Sequence, residues 1–158
     1  MVRAAQYAYF ALAWAFAAGV VLQVFFIGLG LFAESEYRDI HAFFGWTILH
    51  LSPLIILVAA PLARAGRTRI LQSAALAVTV WIVPILAAVR ADLPVAAAFH
   101  PVGALLAFWL AIVVARGATS LVGSPDTEAR PTRGELAVVA AVVVILLFLS
   151  LSGSPTES

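Results

Sequence analysis

The chain has no cysteine among its 158 residues, and all nine of its basic residues are arginine, so it has no lysine either. The first absence excludes disulfides, thiolate metal centres, covalently attached c-type haem and cysteine nucleophiles. The second removes Schiff-base chemistry on a lysine amine. Charge of either sign is scarce, at 11% of residues against 64% hydrophobic, with a mean hydropathy of +1.08. No soluble globular domain is built this way. No Asp, Glu or Arg falls in the middle of an apolar run, which speaks against ion pumps and proton-coupled transporters that work through a buried carboxylate. The same gap leaves a Ser-His-Asp or two-carboxylate hydrolase without its acid. The charges that exist flank the runs and form no basic patch, so nucleic acid is not an expected partner.

What is present is apolar length. A hydrocarbon core of roughly 30 Å takes about 20 residues of helix, and five runs supply it, near residues 5–33, 40–63, 70–89, 94–115 and 135–152. The expected fold is all-α: an integral membrane bundle of four antiparallel helices over residues 1–116, a cytoplasmic linker at 117–134 rich in Gly, Pro, Ser and Thr, and a fifth transmembrane helix with a short tail over 135–158. The first run is too long for a signal-peptide core and reads as a retained anchor. Pro53, Pro61, Pro84 and Pro101 are expected to bend spans or free backbone carbonyls, and Asp92 with Pro94 marks a helix start. Counting connections in turn puts Arg3, Arg64, Arg67, Arg69, Arg116, Arg130 and Arg133 on one side and only Arg38 and Arg90 on the other. Basic loops stay cytoplasmic. The expectation is therefore a bacterial inner-membrane protein with its N-terminus inside and the tail "SGSPTES" outside.

Polar side chains within the runs are few, and three are histidines. The first four helices read as two hairpins, each with a histidine just past its outer turn: His41 in "HAFFGW" and His100 in "HPVGAL". That resembles a weak tandem duplication. Zinc would want three or four ligands, and only Glu34, Glu36 and Asp39 stand near His41. Haem b held by two imidazoles from separate helices needs neither acid nor cysteine, and helix bundles house such cofactors in their cores. His41 and His50 are nine residues apart, about half a turn net, so they face opposite ways and cannot share one iron. His100 then pairs with one of them. Gly45, four residues after His41, and Gly103, three after His100, are expected to give a porphyrin plane room beside each helix. Arg38 stands one turn outside His41, where it could meet a haem propionate, and Arg90 ends the neighbouring span. Depth counted from the loop charges favours His50 over His41 as the partner, but an early start of the second helix, capped by Ser35, narrows that difference. His41 with His100 is preferred and His50 stays open. Gln23, with Gly19 and Gly30 on its stripe, reads either as a hydrogen-bond partner of His50 or as a contact to a cofactor edge or quinone carbonyl. Trp14, Trp46, Trp81 and Trp109 read as packing and interface anchors.

The segments "LQVFFIGLGLF", "HAFFGW" and "HPVGALLAF" resemble a family of small four-helix bacterial membrane proteins of unknown function. Its pattern of Gln then Gly, His then Gly, and His-Pro maps here to Gln23 and Gly28, His41 and Gly45, and His100 and Pro101. The likeness spans about residues 5–116 and the fifth helix departs from it; it supports His41 over His50 without naming a reaction. The arrangement also looks like that of small membrane b-type cytochromes, an analogy at the level of fold. These readings together imply an electron-transfer protein with one bis-histidine haem b, exchanging electrons with quinone or a partner redox protein. The alternative is a cofactor-free accessory subunit of a larger membrane complex, docking through its last helix. A permease-like binder of lipid or small molecules is weaker, because membrane charges are missing.

Overall fold

The computed structural model describes residues 1–123 and 130–152. Five helices are long and apolar enough to cross a membrane: Val2–Phe32, Tyr37–Leu62, Gly66–Ala91, Pro94–Gly123 and Arg133–Ser150. No strand occurs among the described residues, and the all-α membrane bundle expected from hydropathy is the fold observed. The first span is a single helix, α1 (Val2–Phe32). The second is broken into α2 (Tyr37–Phe44), a π-helical turn over Gly45–Leu49, and α3 (Ser52–Leu62). The third is α4 (Gly66–Ala88), finished by a 3-10 turn at Val89–Ala91. The fourth is the short α5 (Pro94–Ala97) followed by α6 (His100–Gly123), and the fifth is α7 (Arg133–Ser152).

The helices close into a ring. α1 packs on the second span and on α6, and α4 packs on α3 and α6, while α2 and α6 occupy opposite corners without an interface of their own. α7 lies outside the ring against α3 and α4, sending Val139 and Leu146 inward and leaving Val144, Ile145 and Phe148 exposed. Alanine makes the close contacts: Ala13 and Ala17 on α1, Ala60 on α3, Ala74 and Ala77 on α4, Ala111, Ala115 and Ala118 on α6 are all buried. Small side chains let backbones approach, the usual basis of helix association in lipid, where burial of apolar surface gives no driving force.

The packing is lopsided along the axis. Beyond Val20, Leu49, Trp81 and Ala107, toward the turns that carry the histidines, Gly30 is the only buried residue among those described. The opposite end, with Arg64, Arg67 and Arg69, is dense and bolted by hydrogen bonds. Tyr9 Oη donates to Ser73 Oγ at 3.0 Å, and Ser73 passes its own proton to the Arg69 carbonyl. Trp14 Nε1 donates to Thr119 Oγ1, Arg69 to Ser120 Oγ, and Arg3 to the Val122 carbonyl. These ties run from α1 and α4 onto residues 119–122, and they explain why α6 continues through 117–123, where composition alone opened the linker. Residues 124–129 of that linker and the tail 153–158 lie outside the described residues. α7 has a defined start: Thr132 N donates to Glu135 Oε2 and Glu135 N to Thr132 Oγ1, a reciprocal capping box.

The buried hydroxyl pair gives a direct test. Ser73→Ala strands the Tyr9 hydroxyl, with a cost of about 1–3 kcal/mol, whereas Tyr9→Phe removes the donor and leaves Ser73 bonded to Arg69. Thermal melts of the two single variants and the double variant should rank Ser73→Ala as the less stable single and show a coupling between them.

Candidate functional site

His41 and His100 stand at the same end of the bundle, one turn into α2 and at the first residue of α6. Each is half-buried, and each makes the same bond. His41 Nδ1 lies 2.9 Å from the Gln23 carbonyl oxygen of α1, and His100 Nδ1 lies 2.8 Å from the Val83 carbonyl oxygen of α4. A carbonyl oxygen can only accept, so both rings carry their proton on Nδ1, and in the neutral form Nε2 holds the free lone pair. The two hairpins match further. The residue that lends its carbonyl also lays its side chain on the glycine after the histidine: a Cβ on Gly45 would sit 2.6 Å from Gln23 Nε2, and one on Gly103 would sit 2.9 Å from Val83 Cγ2. Gln23 and Val83 are therefore equivalent positions of the repeat suggested by sequence.

That packing corrects the role expected of the glycines. The space beside Gly45 is filled by the Gln23 amide and the space beside Gly103 by Val83 and Leu86, so both serve close helix pairing and neither holds open room for a porphyrin. Gln23 also has a different partner from the one expected. Its Nε2 donates to the His41 carbonyl at 2.8 Å, reciprocating the imidazole bond, and no bond joins it to His50. Gln23 Oε1 is buried without a partner. Gln23→Leu should lower stability by about 1 kcal/mol while leaving the His41 tautomer intact, since the imidazole bonds the backbone of residue 23; melting curves and the 15N shift of Nδ1 read the two effects separately. Arg38 Nε donates to the Gly30 carbonyl at 2.9 Å, so one guanidinium donor ties the turn to the end of α1. Arg90 is exposed at the end of the third span.

His50 goes elsewhere. The π turn, closed by His50 N donating to the Gly45 carbonyl at 2.9 Å, swings it toward α4, where it is 5% exposed. Its ring centroid is 4.0 Å from that of Trp81 and 5.0 Å from that of Trp46. His50 Nδ1 and Trp81 Nε1 are both buried without a hydrogen-bond partner. Sequence reading treated Trp81 and Trp46 as packing residues and missed this cluster. The only signal was Ser52-Pro53: Pro53 has no N–H to offer the Leu49 carbonyl, and Thr47 and Ser52 turn their hydroxyls back onto the Phe43 and Ile48 carbonyls, both marks of a locally irregular helix.

Among the described residues no three His, Cys, Asp or Glu side chains gather in a metal-binding group, so Glu34, Glu36 and Asp39 build no zinc site with His41. His41 and His100 are joined by no hydrogen bond or ring contact and sit on opposite corners of the ring. A cavity of about 380 Å³ lies far from them, at the arginine end between the first turn of α4 and α6, beside Arg67, Arg69, Gln72 and Gly117.

Residues 23–91 match a family model whose description is "Family of unknown function (DUF6220)". The matched stretch holds Gln23, Gly28, His41 and Gly45 and stops short of His100 and Pro101. No curated protein and no solved structure matches the chain.

Proposed function

We propose that the protein is a b-type cytochrome-like electron carrier of the bacterial inner membrane, with one haem b between Nε2 of His41 and Nε2 of His100. The supporting observation is the matched pair of Nδ1–H bonds to backbone carbonyls. Metal-bound imidazoles nearly always donate their other ring N–H to such an acceptor, which fixes the tautomer and raises ligand basicity. The donor set therefore suits a haem iron, and it favours His41 over His50, whose Nδ1 has no partner. The sparse packing of the histidine end favours a bulky group there as well. The two imidazoles of His41 and His100 would hold the haem, which would supply one-electron exchange. In this reading the chain's own groups have separate tasks. The Gln23 and Val83 carbonyls aim the two rings, the Gln23 amide holds the His41 backbone, and Arg38 and Arg90 offer positive charge to propionates. The arginine end faces the cytoplasm, the histidine end faces outward, and electrons pass to or from quinone or a redox protein.

The cofactor-free accessory subunit has one observation on its side: the histidine bonds and glycine contacts hold each hairpin together without any cofactor. A visible spectrum of detergent-purified protein separates the two readings. A sharp Soret band with a reduced α band is expected, and a colourless preparation with full helical content would leave only the accessory subunit.

A further inference from the structure

Two polar atoms in the middle of the bundle have no protein partner although their side chains are more than nine-tenths buried: His50 Nδ1, in a residue 5% exposed, and Trp81 Nε1, in a residue 4% exposed. Their ring centroids lie 4.0 Å apart, with the planes tilted by 40°. Within a bilayer no bulk water compensates such atoms, and intramembrane polar groups left in this state mark places where something else bonds to them. Trp46 also packs against the imidazole, with its ring centroid 5.0 Å from that of His50, and is 49% exposed.

We propose that His50 and Trp81 form the hydrogen-bonding end of a site for a quinone or quinol ring drawn laterally from the membrane, with the ring taking the place of the Trp46 indole. The chemistry of the pair selects this class. An indole N–H only donates. His50 Nδ1, unlike the same atom in His41 and His100, is bound to no carbonyl, so it donates or accepts according to tautomer. A quinone carbonyl accepts from both groups; a quinol hydroxyl accepts from Trp81 and donates to His50. The pair thus matches an oxygen that alternates between these two states, in a ligand flat enough to stack and apolar enough to arrive through lipid. The π turn at Gly45–Leu49, adjoining His50, supplies the local give.

Binding stands on this geometry alone, whereas service as the redox partner rests on the haem reading above. The test is a titration of the full-length purified protein with decylubiquinone and with its quinol, followed by quenching of tryptophan fluorescence, with haem content measured on the same samples. Saturable quenching is expected in the wild type. His50→Phe and Trp81→Phe should each weaken binding about tenfold, the loss of roughly one hydrogen bond, with helical content unchanged. Trp46→Ala should tighten binding severalfold, because no indole has to be displaced. Quenching that grows linearly with quinone, or that is the same in wild type and His50→Phe, overturns the site, and an internal water at these atoms that quinone fails to displace gives that result. If haem is absent yet the variants shift binding as stated, the electron-carrier reading fails and the quinone site stands. If haem is present and the variants change nothing, the site fails and the carrier reading stands.

Discussion

His100→Ala is expected to abolish the Soret and reduced α bands altogether, and His41→Ala to do the same. In the proposed reading each variant would remove one of the two nitrogens that would hold the haem, and no other imidazole is oriented to replace it: His50, the third histidine of the chain, is turned toward α4 and packed against Trp46 and Trp81. His50→Ala should accordingly keep the spectrum. The three variants compared at equal helical content decide the pairing. If His50→Ala bleaches the protein and His41→Ala does not, the Nδ1 bond to Gln23 is a helix tie and the ligand assignment is wrong.

The second large effect is structural. A Cβ on Gly30 would lie 2.7 Å from Arg38 Cγ and 3.0 Å from the Arg38 backbone nitrogen. Side-chain ends can yield, but backbone cannot without opening the turn between the first two spans. Gly30→Ala should therefore cost about 1–3 kcal/mol, and Gly30→Leu more. Gly28, two residues earlier in the same helix, has nothing within 4 Å of such a Cβ, so Gly28→Ala should be neutral or stabilise by up to about 1 kcal/mol. Thermal melts in one detergent give the contrast. Equal effects at the two positions would mean that the turn is not held as tightly as the Arg38 to Gly30 bond indicates.

Hydropathy carried most of the fold, because twenty apolar residues in a row have few alternatives in lipid. The five spans and the two hairpins were legible for that reason, and so was the placement of His41 and His100 just past corresponding turns. What was not legible depended on partners. A glycine three or four residues after a histidine shows a bare patch of helix, but whether a neighbouring side chain or a cofactor fills it is decided by the facing helix; at Gly45 and Gly103 it is Gln23 and Val83. Depth counting paired Gln23 with His50 because it assumed regular helices of matched length. α1 is 31 residues long and the second span contains a π turn, and together these set Gln23 level with His41. Thr119 and Ser120 looked like linker by composition and are helical because Trp14 and Arg69 reach them from other helices.

The difference in packing between the two ends has a mechanical consequence. With one end riveted and the other slack, the bundle resembles tweezers whose tips meet the surrounding lipid. Lateral pressure in the bilayer then acts chiefly on the tips, so acyl-chain length and sterol-like additives should alter the separation of His41 and His100 while the rivets hold still.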